Sequence, residues 1–168
     1  NYFCAELNKH EYESLCLNEI FVAGEKLEIT TEVRKAFKNN VGLQLSNYYG
    51  PTETHVVTAY TLPANVDEWD TYPPIGKPIA NSKVYVLDKN LNPTPVGIPG
   101  ELHVSGKCLA QGYLNKPEIS KRKFINNPFS EQEDYRIMYK TGDMVYWTDD
   151  GNIGFVGRAD DQVKVSCF

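Results

Sequence analysis

Residues 47–54, NYYGPTET, carry the densest set of chemically useful side chains in the sequence. They offer an amide, two aromatic faces, a Gly-Pro turn, hydroxyls and a carboxylate in close succession. An aromatic face can stack on a base, a hydroxyl can donate to a phosphate, and a carboxylate can hold Mg²⁺. The same residue types also suit a tight turn between two elements, since Gly-Pro and Thr favour turns. The segment is therefore either a ligand-binding turn or a plain connection.

Two later segments each place a charged side chain close to a glycine. In YKTGD, residues 139–143, the carboxylate of Asp143 could accept both hydroxyls of a ribose, as acidic residues do in dinucleotide sites. An ordinary turn is the alternative for this segment. In GRAD, residues 157–160, the guanidinium of Arg158 suits contact with a phosphate or a ribose. A solvated pair of Arg158 with Asp160 is the alternative there.

Residues 1–62 must position the first of these segments, and their pattern predicts alternating helices and strands. Asn8, with Glu11 three residues later, resembles a capping box and predicts a helix that starts there. Residues 20–23 form a continuous apolar run, which is typical of a strand buried on both faces. Thr30 or Thr31 can cap the next helix.

That second helix and the strand after it complete a parallel unit. The helix has an apolar stripe of Val33, Ala36 and Phe37. Residues 41–45 then alternate between apolar and other side chains, which predicts a strand that runs into segment 47–54. A strand, a helix and a strand in succession predict a parallel βαβ unit. Ligands of such sheets bind at the carboxyl ends of the strands, which is where segment 47–54 would lie.

Beyond residue 62 prolines become frequent, and short apolar runs alternate with turns. This pattern is typical of a small antiparallel sheet or barrel, which we expect to begin near Pro74. One helix interrupts it, with Pro117 in the first turn, and residues 149–152 form a candidate hairpin turn. The sequence thus predicts an α+β fold, with a partial α/β subdomain over residues 1–62 and a β-barrel-like subdomain over residues 63–168. The expected strands cover residues 84–87, 102–104, 144–147, 153–156 and 163–165.

The composition limits the classes of function. The chain has 168 residues and, with 17 basic and 22 acidic side chains, a formal net charge of −5. It therefore has no electrostatic reason to bind nucleic acid or an anionic membrane, and no apolar stretch approaches the ~18 residues that a membrane helix needs. The four cysteines form no CxxC pair and match no zinc template, which indicates free thiols in a reducing, cytoplasmic compartment.

Several segments, taken together, resemble one known family. FVAGEKL, NYYGPTE, GELHVSGKCLAQGYLNKPE, YKTGD and GRADDQVKV follow one another in this order. Their order and spacing resemble the adenylation domains of nonribosomal peptide synthetases, within the adenylate-forming, AMP-binding enzyme superfamily, over about residues 19–165. The resemblance implies an ATP-dependent ligase that activates an amino acid as an aminoacyl adenylate. It further implies transfer of the acyl group to the phosphopantetheine thiol of a carrier protein within the same synthetase.

The resemblance also implies a role for each motif residue. Segment 47–54 would be the nucleotide-binding turn, with Thr52 and Glu53 as its catalytic residues. ATP or AMP and Mg²⁺ are the implied cofactors. The implied contacts are Asn47 with the adenine amino group, Tyr49 stacked on the adenine, Gly50 in the cofactor-binding turn, Thr52 with the α-phosphate, Glu53 with Mg²⁺, Asp143 with both ribose hydroxyls and Arg158 near the ribose.

Two further sets of residues match the family. Asp160 corresponds to the hinge about which the small C-terminal lobe of these enzymes rotates. The amino-acid pocket is apolar or aromatic at most of its matched positions, which favours an apolar or aromatic substrate without identifying it. The matched pocket positions are Phe21, Ala23, Tyr48, Val56 and Val57.

The sequence also departs from the family. The glycine-rich phosphate loop, the Asp that binds the substrate amine and the lysine-bearing C-terminal lobe are not found in it. Gln111 stands where Arg is usual, and Lys107-Cys108 replace a pair of small residues. The chain begins at Asn1 rather than Met, so we expect a central fragment, truncated at the hinge, inactive alone and prone to self-association. The alternative is a noncatalytic nucleotide-binding or docking module that keeps the sub-fold.

Overall fold

The computed structural model describes residues 2–9 and 17–159, and the strands in these ranges form two sheets. The first sheet has the strand order β1–β2–β3–β4, with β1 Glu19–Val22, β2 Gln44–Tyr49, β3 Thr58–Thr61 and β4 Lys77–Pro78. The second has the order β5–β6–β8–β7, and β9 also pairs with β8; its strands are β5 Ser82–Leu87, β6 Gly100–Gly106, β7 Phe124–Asn126, β8 Ile137–Trp147 and β9 Ile153–Arg158. The helices in the same ranges are α1 Tyr2–Lys9, α2 Thr31–Asn39 and α3 Pro117–Lys123, with 3₁₀ turns at Val66–Glu68 and Glu133–Tyr135.

The helix α2 and its flanking strands confirm the predicted parallel unit. Thr30 caps α2, because its Oγ1 accepts a hydrogen bond of 3.3 Å from the backbone N–H of Val33. The predicted stripe of α2 is buried in the first hydrophobic core. β1 and β2 pair in parallel, with Ile20 opposite Leu45. β2 covers Gln44–Tyr49 rather than the predicted residues 41–45, so residues 47–49 form the carboxyl end of the strand and the turn follows from Gly50.

Two details of the N-terminal prediction are wrong. β1 is an edge strand among the described strands, and Phe21 is 55% exposed, so this strand is not buried on both faces. Asn8 lies inside α1 rather than at a helix start, and its Nδ2 donates to the backbone carbonyl of Glu32 at 2.9 Å. The rest of the helix expected after Asn8, at residues 10–16, lies outside the described residues.

The two sheets are joined through residues 75–78. β4 pairs with β3 in the first sheet. Just before it, Ile75 donates its N–H to the carbonyl of Ile153 at 2.8 Å, and Ile153 donates back to Gly76 at 2.9 Å. Residues 63–78 also bring Val66 and Trp69 into the first core. The chain therefore passes from the first sheet to the second at residues 79–81. The predicted boundary between two subdomains at residue 62 lies earlier in the chain and stays a prediction.

The second sheet is antiparallel throughout and confirms the predicted α+β fold. It is open among the described strands, with β5 at one edge and β7 and β9 at the other, and so forms half of a barrel. The hairpin at residues 149–152 is present, and Asn152 donates to the Asp150 carboxylate at 2.7 Å. α3 has Pro117 at its first position, as predicted. The predicted strand at residues 163–165 lies outside the described residues.

The second core lies between the end of β2 and the second sheet. Its buried members include Tyr49, Val57, Leu102, Val104 and Ile153. Because Tyr49 belongs to this core, segment 47–54 is anchored to the sheet that carries the other two motifs.

In residues 2–9 and 17–159, none of the helices combines the length and the apolar character needed to cross a bilayer.

Candidate functional site

Segment 47–54 is held against the start of the second sheet by Asn47. This side chain is buried, and its Nδ2 donates to the backbone carbonyl of Pro74 at 2.8 Å. Residues 75–76 in turn pair with β9. The amide of Asn47 thus joins the carboxyl end of the parallel pair to the strand that carries GRAD.

The turn after β2 is tight, and it requires a glycine. A Cβ on Gly50 would lie 1.6 Å from the carbonyl oxygen of His55, which no side chain can tolerate. Thr54 is fully buried, and its Oγ1 lies 3.2 Å from the carbonyl of Pro51 and 3.0 Å from that of His55. Thr52 is exposed at the tip of this turn. The turn therefore presents the Thr52 hydroxyl from a closely packed backbone.

Asp143 is the centre of a buried polar cluster and is 1% exposed. It lies opposite Arg158 in the β8–β9 ladder, and the Arg158 Nη1 donates to its Oδ1 at 3.1 Å and to the carbonyl of Thr141 at 2.9 Å. The hydroxyl of Tyr49 donates to the other carboxylate oxygen, Oδ2. Three motifs therefore meet at one carboxylate.

The electrostatics of this cluster keep Tyr49 a hydrogen-bond donor. Burial raises the pKa of the Tyr49 phenol well above its usual value, and the negative charge of Asp143 raises it further. Arg158, 17% exposed, supplies the opposite charge. An ionised carboxylate has about four lone-pair positions, so Asp143 can accept further donors beside Tyr49 and Arg158.

A narrow cleft opens next to this cluster. It lies between the loop at residues 24–27 and the end of β2, and it is closed on the far side by Ile75 and Phe155. The Tyr49 and Phe155 rings are tilted, with centroids 6.2 Å apart. The cavity volume is about 20 Å³, little more than one water molecule requires. The space between these aromatic side chains is therefore narrow in this structure.

Glu53 lies in a second polar cluster, which sequence reasoning missed. Its Oε1 accepts a hydrogen bond of 2.5 Å from the hydroxyl of Tyr113, which lies 3.2 Å from the hydroxyl of Tyr139. Partial burial raises the pKa of Glu53, but hydrogen bonds, that of Tyr113 foremost, outweigh it, so the pKa lies below its usual value. The carboxylate is therefore ionised at neutral pH. Tyr113 and Tyr139 stand in the motifs GYLNKPE and YKTGD, but no spacing signal indicates that they meet at Glu53.

The Glu53 carboxylate fits a magnesium site shared with a nucleotide. Within the described ranges, no group of three or more His, Cys, Asp or Glu side chains could hold a metal ion by itself. Mg²⁺ is commonly bound by one or two carboxylates together with phosphate oxygens and water. A single ionised carboxylate beside an exposed hydroxyl is consistent with that kind of site.

The expected pocket residues divide into two groups. The Phe21 and Tyr48 rings contact each other, with centroids 5.0 Å apart, and Ala23 is exposed on the same loop region. Val56 is half-buried, whereas Val57 is fully buried in the second core. Its place in the pocket stays a prediction. The expected hinge residue, Asp160, lies outside the described residues.

Comparison with solved structures establishes the class. The chain is similar to PA1221, an NRPS protein containing adenylation and PCP domains, with a TM-score of 0.79 and 31% identity over 88% of this chain and 30% of that one. It is also similar to holo-PA1221 bound to a vinylsulfonamide inhibitor, with a TM-score of 0.83 and 29% identity over 98% of this chain and 28% of that one. The fold of this chain is therefore that of part of an NRPS adenylation domain.

The family follows from the sequence comparison. A model of the family described as AMP-binding enzyme matches residues 4–114, and the chain belongs to this family. It is 45% identical to gramicidin S synthase 2 of Brevibacillus brevis over 150 residues, 89% of this chain and 3% of that protein. It is 44% identical to tyrocidine synthase 2 of Brevibacillus parabrevis, over 89% of this chain and 4% of that protein. The resemblance to peptide-synthetase adenylation domains is thus confirmed, and the chain spans a few per cent of the length of these relatives.

Proposed function

We propose that this chain is part of an adenylation domain that activates an amino acid with ATP and passes it to a carrier-protein thiol. One observation supports the proposal most strongly. Tyr49 and Arg158, which lie 109 residues apart in the sequence, both bond to the buried carboxylate of Asp143. Asp143 itself lies 94 residues beyond Tyr49. A phenol, a carboxylate and a guanidinium are costly to bury together unless each of them is paired. A ligand-binding role accounts for it better than three independent turns do.

The nucleoside half of the ligand would lie against this cluster. Asp143 would accept the two ribose hydroxyls through its remaining lone pairs, and Arg158 would hold that carboxylate in place. Tyr49 would stack on the adenine, and Asn47 would contact the adenine amino group. The narrowness of the cleft supports a coupled movement, in which Tyr49 and Phe155 part when the base enters.

The phosphate half would lie at the turn. Thr52 would donate its exposed hydroxyl to the α-phosphate, and the ionised Glu53 would hold Mg²⁺. A bound Mg²⁺ supplies neutralisation of the charge that builds up when a carboxylate approaches a phosphate. The rest of the rate increase would come from holding the two anions in line, which the closely packed turn around Gly50 supports.

The amino acid would lie beside the phosphates. Phe21, Ala23, Tyr48 and Val56 would contact its side chain, which favours an apolar or aromatic substrate. Val57 would support this pocket from the core. The second step would need the phosphopantetheine arm of a carrier protein, and Asp160 would be the hinge between the two steps.

Amino-acid-dependent exchange of pyrophosphate into ATP by the full-length protein tests the proposal. We expect exchange with one or a few apolar or aromatic amino acids. Asp143→Asn should lower exchange at subsaturating ATP by about 10- to 100-fold, because a hydrogen bond to a charged group contributes about 1.5–3 kcal/mol and each 1.4 kcal/mol is about tenfold in affinity. The matched control is Asp88→Asn, which makes the same change at an exposed turn.

Two results would contradict the proposal. One is nucleotide binding without exchange with any amino acid, which is the behaviour of a noncatalytic nucleotide-binding module. The other is equal exchange by Asp143→Asn and Asp88→Asn at equal melting temperatures. Melting temperatures are measured alongside, because Asp143→Asn leaves Arg158 without its charged partner.

A further inference from the structure

The phenols of Tyr113 and Tyr139 surround the side chain of Glu53, and the backbone of the same loop holds its main chain. The Tyr113 hydroxyl lies 2.5 Å from Glu53 Oε1. The N–H of Ala110 donates to the carbonyl of Glu53 at 2.8 Å. Residues 110–113 therefore fix both ends of Glu53, although they lie about 60 residues further along the chain.

Tyr113 is itself held firmly. Its backbone N–H donates to Oγ of Ser120 in α3 at 2.8 Å. Its ring packs edge-on against Phe124, with centroids 5.9 Å apart, and Phe124 packs against Tyr139 at 4.9 Å. Phe124 and Tyr139 are also direct partners in the β7–β8 ladder. The position of the Tyr113 hydroxyl is thus set by α3 and by two paired strands.

The geometry gives the two oxygens of Glu53 different tasks. A phenol at neutral pH donates one hydrogen bond, and here that bond goes to Oε1. The bond fixes the rotation of the carboxylate about its last single bond. Oε2 would then face the cation, with the Tyr139 phenol and the charge of Lys123 also close to the carboxylate. Partners that orient a metal-binding carboxylate in this way commonly change metal affinity or activity by 10–100-fold when they are removed.

We propose that Tyr113, supported by Tyr139, is a positioning residue that aims the Glu53 carboxylate at the divalent cation of the bound nucleotide. This inference rests on the proposed function, because it needs a metal–nucleotide complex at Glu53. It adds a role for the segment GYLNKPE, since that segment supplies the donor. A purely structural role for Tyr113 would affect stability but not the dependence on the cation.

The test compares Tyr113→Phe with the wild-type full-length protein. The first measurement is the concentration of free Mg²⁺ that gives half-maximal pyrophosphate exchange. The second, independent of activity, is the affinity for Mn²⁺ in the presence of ATP, followed by the electron paramagnetic resonance signal of free Mn²⁺. Tyr85→Phe is the control, since it removes a hydrogen-bonded tyrosine hydroxyl away from Glu53, 3.1 Å from Asn127 Nδ2.

We expect Tyr113→Phe to raise the Mg²⁺ concentration for half-maximal exchange by about 10-fold and to weaken Mn²⁺ binding by the same factor. The KM for the amino acid and the melting temperature should stay close to those of Tyr85→Phe. Tyr139→Phe should act in the same direction with a smaller effect, and it replaces Tyr113→Phe if that variant does not fold.

Unchanged Mn²⁺ affinity in both Tyr113→Phe and Tyr139→Phe, with Glu53→Gln weakening it, would overturn the inference. If the wild type bound Mn²⁺ with ATP but catalysed no exchange, the proposed function would fail, and the Mn²⁺ measurement would still decide the role of Tyr113.

Discussion

Replacing Tyr49 with phenylalanine removes the hydrogen bond that joins segment 47–54 to Asp143, with almost no change in shape. A hydrogen bond to a charged group contributes about 1.5–3 kcal/mol. Asp143 keeps its contact with Arg158 at 3.1 Å, so its charge is not left unpaired. We therefore expect the free energy of unfolding to fall by about 2 kcal/mol, a value in the middle of that range.

Urea titration of the protein measures this loss. It is followed by the fluorescence of Trp69 in the first core and Trp147 beside the second core. With a slope of about 2 kcal/mol per molar urea, the midpoint should fall by about 1 M. Tyr85→Phe is the control, because it loses a hydrogen bond between neutral groups, for which about 0.5–1.5 kcal/mol is usual. Equal losses in the two variants would refute the reasoning that the charge on Asp143 strengthens the bond.

The pH dependence gives a second check on the same variant. The pKa of Tyr49 is raised in the folded protein, so the stability that it contributes is fully present below the unfolded tyrosine pKa of about 10. That contribution is lost as the pH rises further toward the folded pKa. The stability gap between the wild type and Tyr49→Phe should be constant from about pH 6 to 9 and shrink above about pH 10. A gap that shrinks below pH 9 would show that the phenol ionises more easily than its burial indicates.

Two further changes test the turn and the second cluster. Gly50→Ala should destabilise the protein by about 3 kcal/mol, the upper end of the usual cost of overpacking, because the added methyl would lie 1.6 Å from the His55 carbonyl oxygen. The control for space is Gly97→Ala, whose methyl would meet no atom within 4 Å, although the φ of +79° at Gly97 adds strain. Thermal unfolding compares the two variants. The pKa of Glu53 is lowered in the folded protein, so the stability that its ionised carboxylate contributes is present above about pH 4.3 and is lost as the pH falls below that value. Urea titrations of Glu53→Gln at several pH values should therefore lack this part of the acid dependence. A pH dependence of stability equal to that of the wild type would contradict the lowered pKa of Glu53.

Local features of the fold could be predicted because they depend on near neighbours in the chain. The Thr30 cap, the apolar stripe of α2, the proline at the start of α3 and the hairpin at residues 149–152 each need only a few consecutive residues. The predictions that failed depend on distant neighbours. β1 is not buried on both faces, since Phe21 is 55% exposed, and what covers each face of a strand depends on elements distant in the sequence. Asn8 is a helix-interior residue whose side chain bonds to Glu32 of another helix.

The candidate site shows the same division. The motif residues and their order were enough to indicate the family, because chemical groups such as the amide, phenol, hydroxyl and carboxylate of segment 47–54 are properties of the residues themselves. Which of these groups touch is a property of the packing. Asp143 is paired with both Tyr49 and Arg158, and Val57 is fully buried in the second core.

The helix caps and turns of this chain can be predicted from its sequence, since they follow from the short-range chemistry of consecutive residues. The contact of Glu53 with Tyr113 and Tyr139 could not be predicted in this way, although all three residues lie in motifs that the sequence analysis identified. Their contact depends on how β7 and β8 pair and on how the loop at residues 110–113 crosses the turn after β2. Side chains about 60 residues apart come within hydrogen-bonding distance only when burial of the second core fixes the relative position of the two sheets.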